Sequence, residues 1–214
     1  MKVAILGSGG VGQDLGLGFL GLGHEVKMGS RDPNKKEIKD WLAKAGTKAS
    51  AGTFGEAAAF GDLAVLATLW SGTENAIKLA GPANLAGKVV IDTTNPLLFR
   101  PNAMPVLAVG GNDSAGEQVQ RWLPGARVVK AFNSVNHAHM VHPSLPSGPP
   151  DMFLCGDDET ARKQVAAICR DLGWGVIDMG GMAAARLLEP LALIYIQTAI
   201  RTGSWDYAFK LLKA

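Results

Sequence analysis

Cysteine, charge and long apolar runs are all scarce in this sequence. Only Cys155 and Cys169 occur in 214 residues, which excludes a disulfide-built scaffold and fits two thiols in a reducing compartment. Charged residues make up 19% of the chain, and the formal net charge is +2. With no Lys/Arg run, the electrostatic footprint of a nucleic-acid binder is missing. No stretch of about 20 apolar residues is present to span a bilayer. The most apolar late segment, 187–200, is interrupted by Glu189, Pro190 and Gln197. The N-terminus MKVAILGSGG passes from one short apolar run into glycines, without the longer apolar core and small-residue cleavage site of a signal peptide. A cytoplasmic protein with no membrane and no nucleic-acid partner is the expectation. Hydrophobic residues make up 47%, enough for an ordered chain with a sizeable core.

Strand and helix signals alternate from the first residue. Short apolar runs at 3–6, 24–28, 47–50, 62–68, 88–92, 126–132, 152–156 and 175–179 read as strands, several bounded by glycine. Helical spacing fills 10–22, where Val11, Leu15, Phe19 and Leu22 share a face, and then 34–45, 55–60 and 158–172. Ser71 with Glu74 and Ser114 with Glu117 read as capping boxes, opening helices over 72–80 and on to Leu123. Two further helices are expected over 182–202 and 205–213, with Ser204 as a cap between them. Such alternation predicts a doubly wound α/β fold, a mostly parallel sheet of about eight strands covered on both faces. Residues 1–180 form the sheet-bearing unit in this reading, and 181–214 a C-terminal helical segment. Ligands of such folds bind beyond the carboxyl ends of the strands, where strand order reverses.

The stretch GSGGVG places Gly7, Gly9 and Gly12 in the G-x-G-x-x-G pattern between a strand and a helix. That pattern suits a pyrophosphate. The first glycine turns the chain, the second leaves room for the ligand, and the third lets helix and strand pack. The helix start then presents free N–H groups to an anion. The second strand ends in Ser30 and Arg31, with Lys35 and Lys36 beyond. Arg31 stands 19 residues after Gly12, close to the position, about 20 residues on, that reads the ribose. NAD-binding units place an acid there, whereas a guanidinium suits the 2′-phosphate of NADP. NADP(H) is therefore the expected cofactor. Asp32, followed by Pro33, reads as a turn residue rather than a ribose acid.

The segments ILGSGGVG, GHEVKMGSRDP, AVLATLW, VVKAFNSV, FLCGDDE and DMGGMAAARLLEPLA together resemble the NADPH-dependent coenzyme F420 reductases. They are also similar to the cytosolic reductase domain of six-transmembrane metalloreductases. The resemblance runs from Met1 to about Leu191 and implies a Rossmann-type domain. It implies the 2′-phosphate on Ser30, Arg31 and Lys35, and the pyrophosphate on Ser8, Gly9, Gly10 and Val11. It implies Leu69 and Trp70 beside the nicotinamide, and a deazaflavin over Asn133 to Val135; Thr68, just before them, is expected among the cofactor-binding residues. It also implies a homodimer, with the C-terminal segment closing the pocket. Leu69 stands where the family has a proline, Asn133 where deazaflavin reductases can carry a histidine, and Asn136 where they can carry a proline. These departures fall where the second substrate would sit. They leave the acceptor open between F420, a flavin, and a small carbonyl, imine or quinone, with a non-catalytic NADPH sensor as the other reading.

Hydride transfer between stacked rings needs positioning more than acid–base groups, and no Ser–Tyr–Lys or His–Asp order is assignable from the sequence. His137, His139 and His142 are weighed as a proton donor, a metal site or plain surface residues; no metal is expected, and His137 is the candidate if one acts. Asn95 reads as a nicotinamide contact or a turn residue, Asn133 as a ring contact or a strand-end cap, and Trp70 as a pocket wall or core. Arg186 and Glu189 share helical i, i+3 spacing and read as a mutual pair. Met179 and Met182 read as core.

Overall fold

The computed structural model describes residues 1–212. In chain order the elements are β1 (Lys2–Leu6), α1 (Gly10–Gly21), β2 (Glu25–Ser30), α2 (Lys36–Ala45), β3 (Ala49–Thr53), α3 (Phe54–Phe60) and β4 (Leu63–Leu66). There follow α4 (Trp70–Ala80), α5 (Pro82–Leu85), β5 (Val89–Asp92), β6 (Leu97–Leu98), β7 (Val106–Leu107), α6 (Ala115–Trp122) and β8 (Arg127–Lys130). Last come a 3-10 turn His137–His139, β9 (Asp151–Leu154), α7 (Glu159–Asp171), β10 (Gly175–Asp178), a 3-10 turn Met182–Ala184 and α8 (Ala185–Thr202).

The apolar runs of β1, β4 and β5 are buried on both faces because helices cover both sides. Six parallel strands form the central sheet in the order β3-β2-β1-β4-β5-β8. One face packs Leu15 and Phe19 of α1, Ile38 and Trp41 of α2, and Val165 of α7. The other packs Phe54 of α3, Ile77 of α4, Val119 of α6 and Leu188 of α8. Each such large side chain contributes about 1.5–3 kcal/mol by leaving water.

The central sheet has six strands, not eight. The expected seventh and eighth strands, β9 and β10, form their own parallel pair and join β8 through a single antiparallel bridge, Lys130 to Cys155. Phe132 has a φ of 60°, a left-handed turn that ends β8 before the expected residue 132 and sends the chain away from the sheet. The Ser71–Glu74 box does not form. Helix α4 starts at Trp70, with Leu69 as a cap that makes no side-chain bond, and Glu74 instead pairs with Lys78 at 2.6 Å. A capping box is found at Thr53 and Glu56, opening α3. Ser114 caps α6 by accepting the Glu117 N–H.

No helix follows Ser204 among the described residues; the expected residue 213 lies outside them. Trp205 to Leu211 instead lie along the fold. The Asp151 N–H donates to the Phe209 carbonyl at 2.9 Å, the Leu211 N–H to the Asp151 carboxylate at 2.8 Å, and the Tyr207 hydroxyl to the Tyr195 carbonyl at 2.6 Å. The helical stretch Met182–Thr202 is 21 residues long with mean hydropathy 1.3, so length and composition alone would let it cross a bilayer. Its Leu188, Glu189, Ala192, Tyr195 and Ala199 are buried against the domain.

Candidate functional site

Strand order reverses between β1 and β4, and a cavity opens at their carboxyl ends. Its volume is about 690 Å³. Gly7 to Val11 after β1, Ser30 and Arg31 after β2, Ala67 to Gly72 after β4, and Thr93 to Asn95 with Leu97 and Phe99 after β5 line it. Lys35, Phe54, Asn75 and Ala76 complete the wall. From β2 to β5 is three strand spacings, about 14 Å, so the Arg31 end and the Phe99 end lie far enough apart for the two halves of a dinucleotide.

The three glycines of the motif do different work. Gly7 has a φ of 135°, and a Cβ there would stand 2.1 Å from the Ala67 carbonyl oxygen. A Cβ on Gly12 would stand 2.1 Å from the Gly7 carbonyl oxygen, so Gly12 serves the packing of α1 and does not line the cavity. At Gly9 a Cβ would meet nothing within 4 Å. That open space lies at the N-cap of α1, which no side chain caps. The helix N–H groups are left for an anion. Gly10 is constrained from the other side, since a Cβ would stand 2.9 Å from the His137 ring.

Charge at the cavity is one-sided: among the described residues Arg31 and Lys35 line it, and no carboxylate does. Arg31 and Lys35 make no ion pair among the described residues, whereas Lys36 is bound to Asp40 at 2.5 Å. The local chain explains this. Asp32 is used in a turn, accepting the Asn34 N–H at 2.9 Å, while its own N–H donates to Ser30 Oγ at 3.3 Å. The residues thus fit a 2′-phosphorylated dinucleotide: a glycine-rich seat open at Gly9 for the diphosphate, and two cations with no competing acid among the described residues. When bound, such a cofactor supplies the hydride chemistry.

At the other end Leu69 and Phe99 are 79% and 68% exposed. Trp70 both lines the cavity and stacks on Trp122 with ring centroids 5.4 Å apart. Thr68 shares a 2.9 Å hydroxyl–hydroxyl bond with Thr73. Asn95 lines the wall, but its amide is engaged: Nδ2 donates to the Asn133 carbonyl at 2.7 Å, and Oδ1 accepts from Asn133 Nδ2 at 3.1 Å.

The expected acceptor residues are not gathered at the cavity. Asn133 is buried, also donates to the Leu188 carbonyl at 2.9 Å, and keeps a buried Oδ1 with no partner. Val135 is buried in the core face beside α1 and α7. His137 sits against Gly10 outside the lining and bonds Asp14 at 2.5 Å; His139 bonds Asp206 at 3.1 Å. Two His–Asp pairs therefore exist that sequence order did not reveal, because their partners lie 123 and 67 residues away. None of the described residues from 181 onward lines the cavity.

Arg186 and Glu189 do not pair with each other. Arg186 binds Glu117 of α6 at 2.5 and 2.8 Å, holding the Glu117 carboxyl below its ordinary value. Glu189 accepts the Ala115 and Gly116 N–H groups, each at 3.0 Å, and lies 3.2 Å from Lys130. Lys130 is fully buried and also binds Asp92 at 2.8 Å. Burial disfavours its charge, but the Asp92 and Glu189 carboxylates outweigh that and hold Lys130 above the ordinary lysine range. Nothing in the sequence flagged this cluster, since a lysine ending an apolar strand ordinarily reaches solvent. Burial pushes both thiols, Cys155 and Cys169, up to about 12.

The fold, the glycine seat and the carboxylate-free cationic wall define a Rossmann-type NADP-dependent oxidoreductase. A family model described as NADP oxidoreductase, coenzyme F420-dependent, matches residues 2–96. The F420-dependent NADP reductase of Methanocaldococcus jannaschii is 31% identical over 214 residues, covering 95% of each chain. Metalloreductase STEAP3 of Rattus norvegicus is 30% identical over 197 residues, 90% of this chain, which spans 36% of that protein's length. A crystal structure from Arthrobacter sp. FB24, whose name suggests an F420-dependent NADP-reductase, is 36% identical with a TM-score of 0.94 over 100% of both chains. The chain belongs to the F420-dependent NADP reductase family.

Proposed function

We propose that this protein transfers a hydride between NADP(H) and a flat ring acceptor, with the deazaflavin F420 first and a flavin second. The observation that carries the reading is the composition of the cavity wall. Among the described residues its charged members are Arg31 and Lys35, and no Asp, Glu, His, Tyr or Cys lines it. A reductase of small carbonyls or imines needs a proton donor near the reacting atom, and among the described residues no Asp, Glu, His or Tyr is placed on this wall to serve as one. A ring-to-ring transfer needs alignment and dryness. Leu69, Leu97, Phe99 and Trp70 supply an apolar lip for the acceptor, in place of the Asn133–Val135 segment. Arg31 and Lys35 hold the 2′-phosphate, Ser8 to Val11 the diphosphate, and Thr93 to Asn95 flank the nicotinamide end.

The exposed Leu187 and Ile194 of α8, 62% and 59% accessible, support a homodimer through the C-terminal segment 181–214. The buried unpaired thiols support a reducing, cytoplasmic setting. The test is NADPH oxidation followed optically with F420, flavins and quinones as acceptors. Turnover with F420 or a flavin is expected. NADPH binding without oxidation by any acceptor would replace the enzyme with a non-catalytic NADPH sensor.

A further inference from the structure

The buried Lys130 cluster reaches the cavity through the backbone of one loop. Lys130 Nζ donates to the Thr94 carbonyl and to Asp92 Oδ2, both at 2.8 Å. Asp92 Oδ1 in turn accepts the Thr94 N–H at 2.9 Å and the Thr94 hydroxyl at 2.7 Å. Every polar group of Thr94 is therefore held by this one ion pair. Thr93 is pinned from the other side, its N–H and hydroxyl both donating to the Leu66 carbonyl at 3.2 and 3.0 Å. Asn95 is pinned by the reciprocal amide pair with Asn133. These three residues form the cavity wall after β5, yet none of the groups that hold them touches the cavity. Helix α8 enters the same arrangement twice, through Glu189 on Lys130 and through the Leu188 carbonyl on Asn133.

We infer that Lys130 is a positioning residue for the nicotinamide end of the cavity, and that Glu189 makes its setting depend on how α8 is docked. A lysine in a fully buried site is costly unless its ammonium is paired and hydrogen-bonded. A hydrophobic residue of equal length would fill the volume but could not bond Thr94. The inference rests on the proposed function, in which Thr93 to Asn95 flank the nicotinamide. It adds that a group remote from the reacting atoms sets their alignment.

The experiment compares wild type with Lys130→Met and the milder Glu189→Gln, which keeps the Lys130–Asp92 pair. Two ligands are titrated: adenosine 2′,5′-bisphosphate, which reports only the Arg31 end, and NADPH, whose nicotinamide emission anisotropy reports ring order. In Lys130→Met the bisphosphate affinity stays within about twofold. Nicotinamide anisotropy falls, and kcat with the best acceptor drops about tenfold to a hundredfold, the scale of a misplacement near 1 Å. Glu189→Gln moves the same readouts less. Equal losses for both ligands, or unchanged anisotropy and kcat in folded variants, would overturn the positioning role. If Lys130→Met does not fold, Glu189→Gln decides by the same criteria. Wild-type protein that binds the bisphosphate but leaves the nicotinamide disordered would instead refute the proposed function, and this inference with it.

Discussion

Replacing Arg31 with alanine isolates the feature that separates NADP from NAD. The guanidinium lies at the cavity rim without an intramolecular partner among the described residues, so its removal breaks no ion pair of the fold and stability stays near wild type. In the proposed reading, what it loses is a charge-assisted hydrogen bond to the 2′-phosphate, about 1.5–3 kcal/mol. At about 1.4 kcal/mol per tenfold, NADPH affinity should fall about 12-fold to 150-fold. The lower part of that range is expected, because Arg31 is exposed and Lys35 remains on the same wall. NADH carries no 2′-phosphate, so its affinity should change less than about twofold. Calorimetric titration of both nucleotides at low and raised salt checks this, and the NADPH loss should shrink as salt screens the pair. Equal losses for NADPH and NADH would refute the phosphate role, as would an NADPH affinity that does not change.

Two further perturbations follow from the geometry. Gly12→Ala puts a Cβ against the Gly7 carbonyl and should lower the thermal midpoint by several degrees, whereas Gly9→Ala meets open space, leaves the midpoint unchanged and weakens NADPH binding. Thermal melts paired with NADPH titration separate the two effects. Acid should loosen the contact between α6 and α8, where Glu117 is held below its ordinary 4.5 by Arg186; within the α6 segment itself, Asp113 is held at about 2 against 3.8 by Arg121. A depressed carboxyl stabilises fully above its unfolded value and loses that contribution as pH falls through the folded one. Urea melts from neutral to acid pH should show wild type and Glu117→Gln converging as pH drops below about 4.5; a constant gap would refute the pairing.

Amino-acid order alone determined whatever depends on neighbours a few residues apart. The apolar runs of β1, β4 and β5, the glycine seat, the basic residues where an acid usually sits, and the Ser114 cap are all written in short stretches. Their physics is local: strand burial on two faces, a turn only glycine can make, a hydroxyl facing an N–H three residues on. The local reading failed where a distant group won. Thr73 bonds the Leu69 carbonyl at 3.1 Å, and α4 begins one residue before the expected Ser71 cap. Phe132 turns left-handed, so Asn133 and Val135 go into the interior rather than toward a ligand. Lys130 meets Asp92 and Glu189, 38 and 59 residues away along the chain, and no spacing rule connects them. Tertiary structure alone decided that cluster, because a buried charge is tolerable only where opposite charges and carbonyls from separate elements converge on it.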